Sequence, residues 1–240
     1  MRATRQTAAA FLCVLISLGL GLAAGSETAS AQEWPPVYSA IEIRATVVDK
    51  ETGRALEGVV VVAQWVLFVA GPGDGWHGPR LYVTEAVTDK EGRFFIPGWG
   101  PKPNPGYPST GLTDRDPTLS LFKPRYWPLT LPNPDARNDT VRHSHWDGKI
   151  IELEKYRGTG TEYEWAWLLY HLQLPLAWGN TMEWRRLPKM TLAILEELER
   201  IPRKLRLEQP PFAALGGPES LGTTLEEVRR FVEGPGGLKE

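Results

Sequence analysis

Apolar and polar positions alternate along the first half of the chain, and the period is two. Ile41, Ile43, Ala45 and Val47 alternate with Glu42, Arg44, Thr46 and Val48, as a strand with one buried face requires. Asp49-Lys-Glu-Thr-Gly53 follows, an acidic turn closed by glycine. Val59 to Val62 are then four β-branched residues in succession, leading through Ala63-Gln-Trp65 to Val69. Such a run predicts a strand buried on both faces in mid-sheet. Leu81 to Thr88 reads as another strand, Asp89 to Gly92 as a tight turn, and Arg93 to Ile96 as the returning strand of a hairpin. Leu119 to Phe122 and Lys149 to Leu153 complete the set, whereas Gly71 to Pro79 and Pro97 to Pro117 are so rich in Gly and Pro that they read as loops.

Beyond about Glu154 to Gly160 the period changes to that of a helix. Thr161 to Leu174 puts Trp165, Leu168, Leu169 and Leu172 on one face. A second helix from Pro188 to Leu205 repeats Met190, Ile194, Leu198 and Ile201, with Glu196, Glu197, Glu199 and Arg200 turned to water. Thr223-Thr-Leu-Glu226 is a capping box for a short last helix with Leu225, Val228 and Val232 as its stripe, a candidate for docking on a partner.

The N-terminus carries Arg2 and Arg5, an uncharged apolar run from Ala8 to Ala24, and Ala29-Ser-Ala31, the small-x-small pattern of an export signal cleaved after Ala31. An uncleaved signal would leave a membrane anchor. The expected organisation is a signal at 1–31, a linker at 32–39, a β-sandwich at 40–155, a helical extension at 156–207, and a Pro/Gly-rich tail with a short helix at 208–240. The lone cysteine, Cys13, lies inside the signal, so the mature chain forms no disulfide and its fold rests on core burial. That combination fits the periplasm or the exterior of a bacterium. Net charge is −2 at pH 7, which gives a polyanion such as DNA or RNA no basic surface to bind.

The order Asp49-x-x-Thr52-Gly53, Gly58-Val59-x-Val61, Thr88-Asp89-x-x-Gly92-x-Phe94-x-Ile96, Lys123-Pro124-x-Tyr126 and a final Ile-x-Leu strand resembles the carboxypeptidase regulatory-like, transthyretin-like domain. The resemblance implies a mainly β, prealbumin-like sandwich that is typically non-catalytic and accessory. Arg125 departs from it, because the family has glycine there. Gly58 to Trp65, Thr88 to Phe94 and Pro105-Gly-Tyr-Pro108 also resemble segments of the intradiol dioxygenases, which hold ferric iron with two Tyr and two His. In this chain Leu119 and Leu121 stand where that resemblance implies the two histidines. Leucine donates no lone pair to iron.

No Gly-x-Ser-x-Gly, phosphate-cradling loop or His-Glu-x-x-His occurs. The expectation is therefore a non-catalytic module without a cofactor, binding or assembling with an unknown envelope protein or glycan. Ten tryptophans suggest where. Trp76, Trp99, Trp127 and Trp146 stand among Gly, Pro, Asp and Asn, where aromatic rings can meet a sugar or peptide or else cover the ends of the core. A carbohydrate-binding module is thus one alternative. The other is a metal-dependent enzyme using His143 and His145, whose His-x-His spacing puts both imidazoles on one face of a strand.

Overall fold

The computed structural model describes residues 34–69, 76–113, 115–134, 139–158, 184–200 and 223–234. The chain divides into two compact units, Met1–Gln32 and Glu33–Glu240, and every described residue belongs to the second. The expected signal and the helix at Thr161 to Leu174 lie outside the described residues. The described strands are β1 (Val37–Ala40), β2 (Ile43–Asp49), β3 (Val60–Val69), β4 (Trp76–Val87), β5 (Arg93–Ile96), β6 (Trp99–Pro103), β7 (Thr110–Leu112), β8 (Thr118–Phe122), β9 (Leu129–Leu131), β10 (Val141–Arg142) and β11 (Ile150–Leu153). A 3-10 turn (Trp184–Arg186), α1 (Pro188–Arg200) and α2 (Leu225–Glu233) follow. Among them no helix is long and apolar enough to cross a membrane.

The fold is mainly β, in facing layers. One layer joins two three-stranded sheets, β10-β1-β6 and β11-β2-β5; the other is five-stranded, β4-β3-β8-β9 with β7 also on β3. Between them lies a core of Tyr38, Ile43, Val47, Val61, Trp65, Leu67, Phe94, Ile96, Leu112, Leu119, Leu121 and Leu153. Alternation delivers these side chains to one side. The other residues of β3 and β8, Val60, Val62 and Phe122, meet a second core built with Trp184, Leu187, Met190, Ile194 and Val228. The Val59–Val62 run is therefore buried on both faces, as read from the sequence.

The two acidic turns do something the sequence did not disclose. β4 pairs with β3, and β5 pairs with β2, so Asp89 to Gly92 crosses from one layer to the other and is no hairpin. Asp49 to Gly53 leads across the same gap from β2 to β3. Buried Thr88 fixes the crossing: its hydroxyl donates to Leu56 O at 2.5 Å and accepts from Val59 N at 2.8 Å. Gly92 is required here, since φ is +73° and a Cβ would sit 2.4 Å from Val47 O.

Other expectations are corrected by pairing and burial. Residues 37–39 of the expected linker belong to β1, because Tyr38 is wholly buried and its hydroxyl accepts from Leu112 N at 3.2 Å. β4 starts at Trp76, inside the expected 71–79 loop, its first residues pairing with Phe68 and Val69. The expected 97–117 loop contains β6 and β7; β6 tolerates Pro101 and Pro103 as the edge strand beside β1. Glu197 does not face water: it is buried, and its carboxylate accepts from Arg125 N and Arg200 Nη1, both at 3.3 Å. The last helix is capped one residue later than read, Thr224 Oγ1 accepting from Glu227 N at 3.2 Å, and it docks within the chain through Val228.

α1 has no acid in its first turn. Glu85 of β4 supplies one from the sheet, accepting from Lys189 N at 2.8 Å and Met190 N at 2.9 Å. The helix N-terminus is thus satisfied across the layer boundary. Burial still raises the Glu85 carboxyl above its ordinary range, against the pull of those two amides.

Candidate functional site

The structure separates the four singled-out tryptophans. Trp99 belongs to β6, and its ring packs edge-on to Trp65 (centroids 5.2 Å apart, 86°) and against Tyr82 at 5.2 Å. Trp146 packs on the same inter-sheet core and donates from Nε1 to Pro132 O at 2.9 Å. Trp127 lies beyond the opposite face of β3 and β8, against the helical core. Trp76 opens β4, and its side chain lies outside the described residues. Trp127 therefore shares no platform with Trp99 and Trp146.

Trp127 lines a groove of about 490 Å³ with Lys50, Glu51, Glu154, Lys155, Arg157 and Gly158. Local chemistry places each wall. Asp49 folds the first wall, its Oδ1 accepting from Thr52 N at 2.9 Å, Glu51 N at 3.1 Å and Thr52 Oγ1 at 2.9 Å. Those bonds, the one from Thr52 N foremost, hold the Asp49 carboxyl below its ordinary range. Tyr126 OH donates to Asp49 Oδ2 at 2.9 Å and so ties the second wall to the first. Trp127 N donates to Glu154 O at 2.9 Å, and Tyr156 N to Arg125 O at 2.7 Å, which sets the ring across the mouth of the final strand. Its half-buried ring stands edge-to-face with Tyr156 at 4.7 Å and 90°.

The rim carries Lys50 Nζ to Glu154 Oε2 at 2.6 Å and an Arg157–Glu51 pair. Hydrogen bonding and charge from Glu154 raise the Lys50 ammonium above its usual range. An indole ring bordered by both charge signs offers one apolar surface together with several donors and acceptors. That set can hold a polar, ring-bearing molecule; it contains no nucleophile paired with a base.

His143 and His145 lie past the end of β10, in a turn instead of on a strand. The spacing therefore does not align their side chains as a strand would. Asn133 holds the turn by its main chain: Nδ2 donates to His143 O at 2.6 Å, and Oδ1 accepts from His145 N at 2.9 Å. His143 is exposed, and His145 is half-buried, edge-on to Trp146 with centroids 5.1 Å apart. Asp147 is committed elsewhere, accepting from Arg44 N at 2.7 Å. Among the described residues no three His, Cys, Asp or Glu side chains are grouped to hold a metal ion. Leu119 and Leu121 are both buried in the inter-sheet core.

Sequence reasoning passed over a buried polar constellation beside that turn. Asp116 is 2% exposed; its Oδ1 accepts from Val66 N at 3.3 Å, and its Oδ2 from Thr113 N and Thr113 Oγ1, each at 3.1 Å. Arg142, equally buried, donates to Thr113 O and, at 3.4 Å, to Asp116 O. Asn133 Nδ2 adds a bond to Asp116 O at 3.1 Å. Burial pushes the Asp116 carboxyl up to about 7, with these donors and the Arg142 charge opposing it. Tyr38 is raised by burial as well. The cluster knots β1, β3, β7 and β10 together, and it lines neither the Trp127 groove nor the groove bordered by Arg44 and Ile150. The short Thr113-x-x-Asp116 spacing was the available signal, but it marks a local turn and reveals neither burial nor Arg142.

No protein-family model matches the chain, and no curated protein matches it. Among solved structures, 3-chlorocatechol 1,2-dioxygenase from Rhodococcus opacus 1CP is similar at 19% identity over 52% of this chain and 62% of its own, with a TM-score of 0.24. The dioxygenase domain of a dioxygenase carbohydrate-binding protein fusion from Streptomyces sp. SirexAA-E shares 14% identity over 51% of this chain and 82% of its own, with a TM-score of 0.23. A 9R-lipoxygenase from Cyanothece PCC8801 shares 12% identity over 74% of this chain and 29% of its own, with a TM-score of 0.24. The chain thus spans less than two thirds of the length of the first of these, and its chemistry rests on its own residues.

Proposed function

We propose that this chain is an exported, non-catalytic binding module on a transthyretin-like sandwich, and that it holds a sugar-like ligand in the Trp127 groove. The supporting observation is that groove itself: one tryptophan with ion-paired Lys50, Glu154, Glu51 and Arg157 around it. Aromatic rings stack on the apolar faces of sugar rings, and charged side chains take the hydroxyls. The N-terminal charge and small-residue pattern supports export to the envelope. A glycan array read with the mature protein, followed by calorimetry on any hit, tests the reading. Trp127→Ala is expected to weaken binding about tenfold, the equivalent of about 1.4 kcal/mol, while Trp146→Ala leaves affinity unchanged. No glycan bound, or equal loss in both variants, overturns it.

A further inference from the structure

β4 is the outermost strand of the five-stranded sheet, joined on one side to β3 and on the other to no described strand. Its register with β3 slips on either side of Val66, so the regular edge runs from Tyr82 to Val87. Thr88, the next residue, donates from N to Val59 O and accepts at O from Gly58 N, each at 3.0 Å. Main-chain direction alternates along a strand. Ala86, Thr84 and Tyr82 therefore turn their N–H and C=O groups to β3 as Thr88 does, whereas Val87, Glu85 and Val83 turn theirs outward. No described residue bonds those outward groups. Backbone polar groups left without a protein partner stand at water.

The other outer strands among the described residues are short or guarded. β6 carries Pro101 and Pro103, and β9 and β10 are brief. In β5, Arg93 N and Arg93 O are both tied to Asp89; past the end of β11, Glu154 O accepts from Trp127 N. Tyr82 to Val87 holds no Lys, Arg, Pro or Gly. Its single acid, Glu85, is turned over the sheet to the α1 amides of Lys189 and Met190 and so does not guard the edge. A second copy fits this edge poorly. Isologous pairing through all the outward residues sets the two copies of Glu85 opposite one another, with Cα atoms about 5.5 Å apart. Each carries the N-terminus of α1, and a helix with its side chains is roughly 10–12 Å across. The two helix ends, positive and each with its Lys189, would contend for one space. An extended segment has no such layer above it. We infer that β4 takes an added strand: an extended, uncharged, β-branched segment of a partner protein, whose main chain meets Val83, Glu85 and Val87. Its side chains on one face would lie beside Val83 and Val87, and those on the other beside Tyr82, Thr84 and Ala86.

The probe is a fluorescein-labelled, end-capped peptide, Lys-Thr-Val-Thr-Val-Thr-Val-Lys, titrated against the folded full chain by fluorescence polarisation. Beside it runs the same peptide with every interior amide N-methylated, which keeps the side chains and removes the main-chain donors. Saturable binding of the first is expected, and at least about tenfold weaker binding of the second. Hydrogen exchange read by NMR supplies the position. At saturation the amides of Val83, Glu85 and Val87 should slow by more than about tenfold, while those of Tyr82, Thr84 and Ala86, already bonded to β3, change little. Val87→Pro removes an outward donor and nothing from the β3 ladder, and should weaken the peptide about fivefold. The comparison of the two peptides requires no variant to fold. Equal affinity for both peptides, protection that misses the outward amides, or no saturable binding would each overturn the inference. So would outward amides protected without peptide by self-association, seen as a sedimentation coefficient that rises with concentration.

Discussion

Replacing Asp116 by asparagine should change how stability depends on pH, and the direction follows from burial. The Asp116 carboxyl keeps its proton up to about pH 7 in the folded protein and releases it near 3.8 when unfolded. Between those values the folded state binds more protons, so stability falls as pH rises. The contribution is complete below 3.8 and gone above about 7. The slope is about 1.4 kcal/mol per pH unit, hence about 4 kcal/mol over the window and about 2.7 between pH 5 and 7. Asparagine carries no proton to release, so Asp116→Asn loses that slope. Its single oxygen can still accept from Val66 N, but the bonds from Thr113 N and Oγ1 lose their acceptor, costing about 1–2 kcal/mol. By pH 5 the wild type has already given up about 1.6 kcal/mol, so the variant is about as stable as wild type there and about 2–3 kcal/mol more stable at pH 8. Glu85 is also raised, yet it is present in both proteins and cancels in the difference. Asp49 and Asp89 are held low by hydrogen bonds, so what they contribute is lost only as pH falls below the ordinary carboxylate range, outside this window. Urea midpoints at constant m, measured from pH 5 to 8, provide the assay. Parallel profiles for the two proteins, or a wild type that gains stability over this range relative to the variant, would refute the reasoning.

Other substitutions test the frame. Arg125 is held at φ +71°, where its Cβ is crowded; Arg125→Gly should raise stability by about 0.5–1 kcal/mol in urea unfolding, strain relief exceeding the added freedom of the unfolded chain. Thr88→Val strands Val59 N and Leu56 O in a buried crossing and should cost about 2–3 kcal/mol; a cost within experimental error would show that the hydroxyl does not hold the layers. Glu85→Ala removes the acceptor for Lys189 N and Met190 N, so about 1–2 kcal/mol is lost, and hydrogen exchange in α1 quickens more than in β3.

The central strands were legible because their signal is local. Four successive β-branched residues can be covered on both faces only inside a sheet, and the helical core does cover Val60 and Val62. What lay beyond the sequence was pairing at a distance. Asp89 to Gly92 has every local mark of a hairpin turn, and those marks are met: Asp89 Oδ1 accepts from Glu91 N at 3.0 Å and from Arg93 N at 2.8 Å. Which sheet each flanking strand joins is decided by β3 and β2, many residues away. Pro101 and Pro103 argued against a strand, yet an edge strand needs hydrogen bonds on one side alone, and β1 supplies them.

The same distinction governs the candidate sites. A tryptophan among glycines and prolines looks alike in sequence whether its ring caps a core or borders a groove, and the difference between Trp146 and Trp127 is which layer the ring meets. Arg125 shows the converse. Its departure from glycine could have marked a lost turn, yet the left-handed conformation is kept, with Arg125 N donating to Glu197 of α1 and its carbonyl accepting from Tyr156 N. The strained residue therefore joins the wall of the Trp127 groove to the helical layer. Glu197 is buried to receive that bond, which is why a residue whose helical position faces water in the sequence pattern does not face water in the fold. Relieving the strain at Arg125 and removing the acceptor at Glu197 should thus act on one junction: the free-energy changes of Arg125→Gly and Glu197→Ala are expected to be non-additive, and strict additivity would place the two residues in independent units.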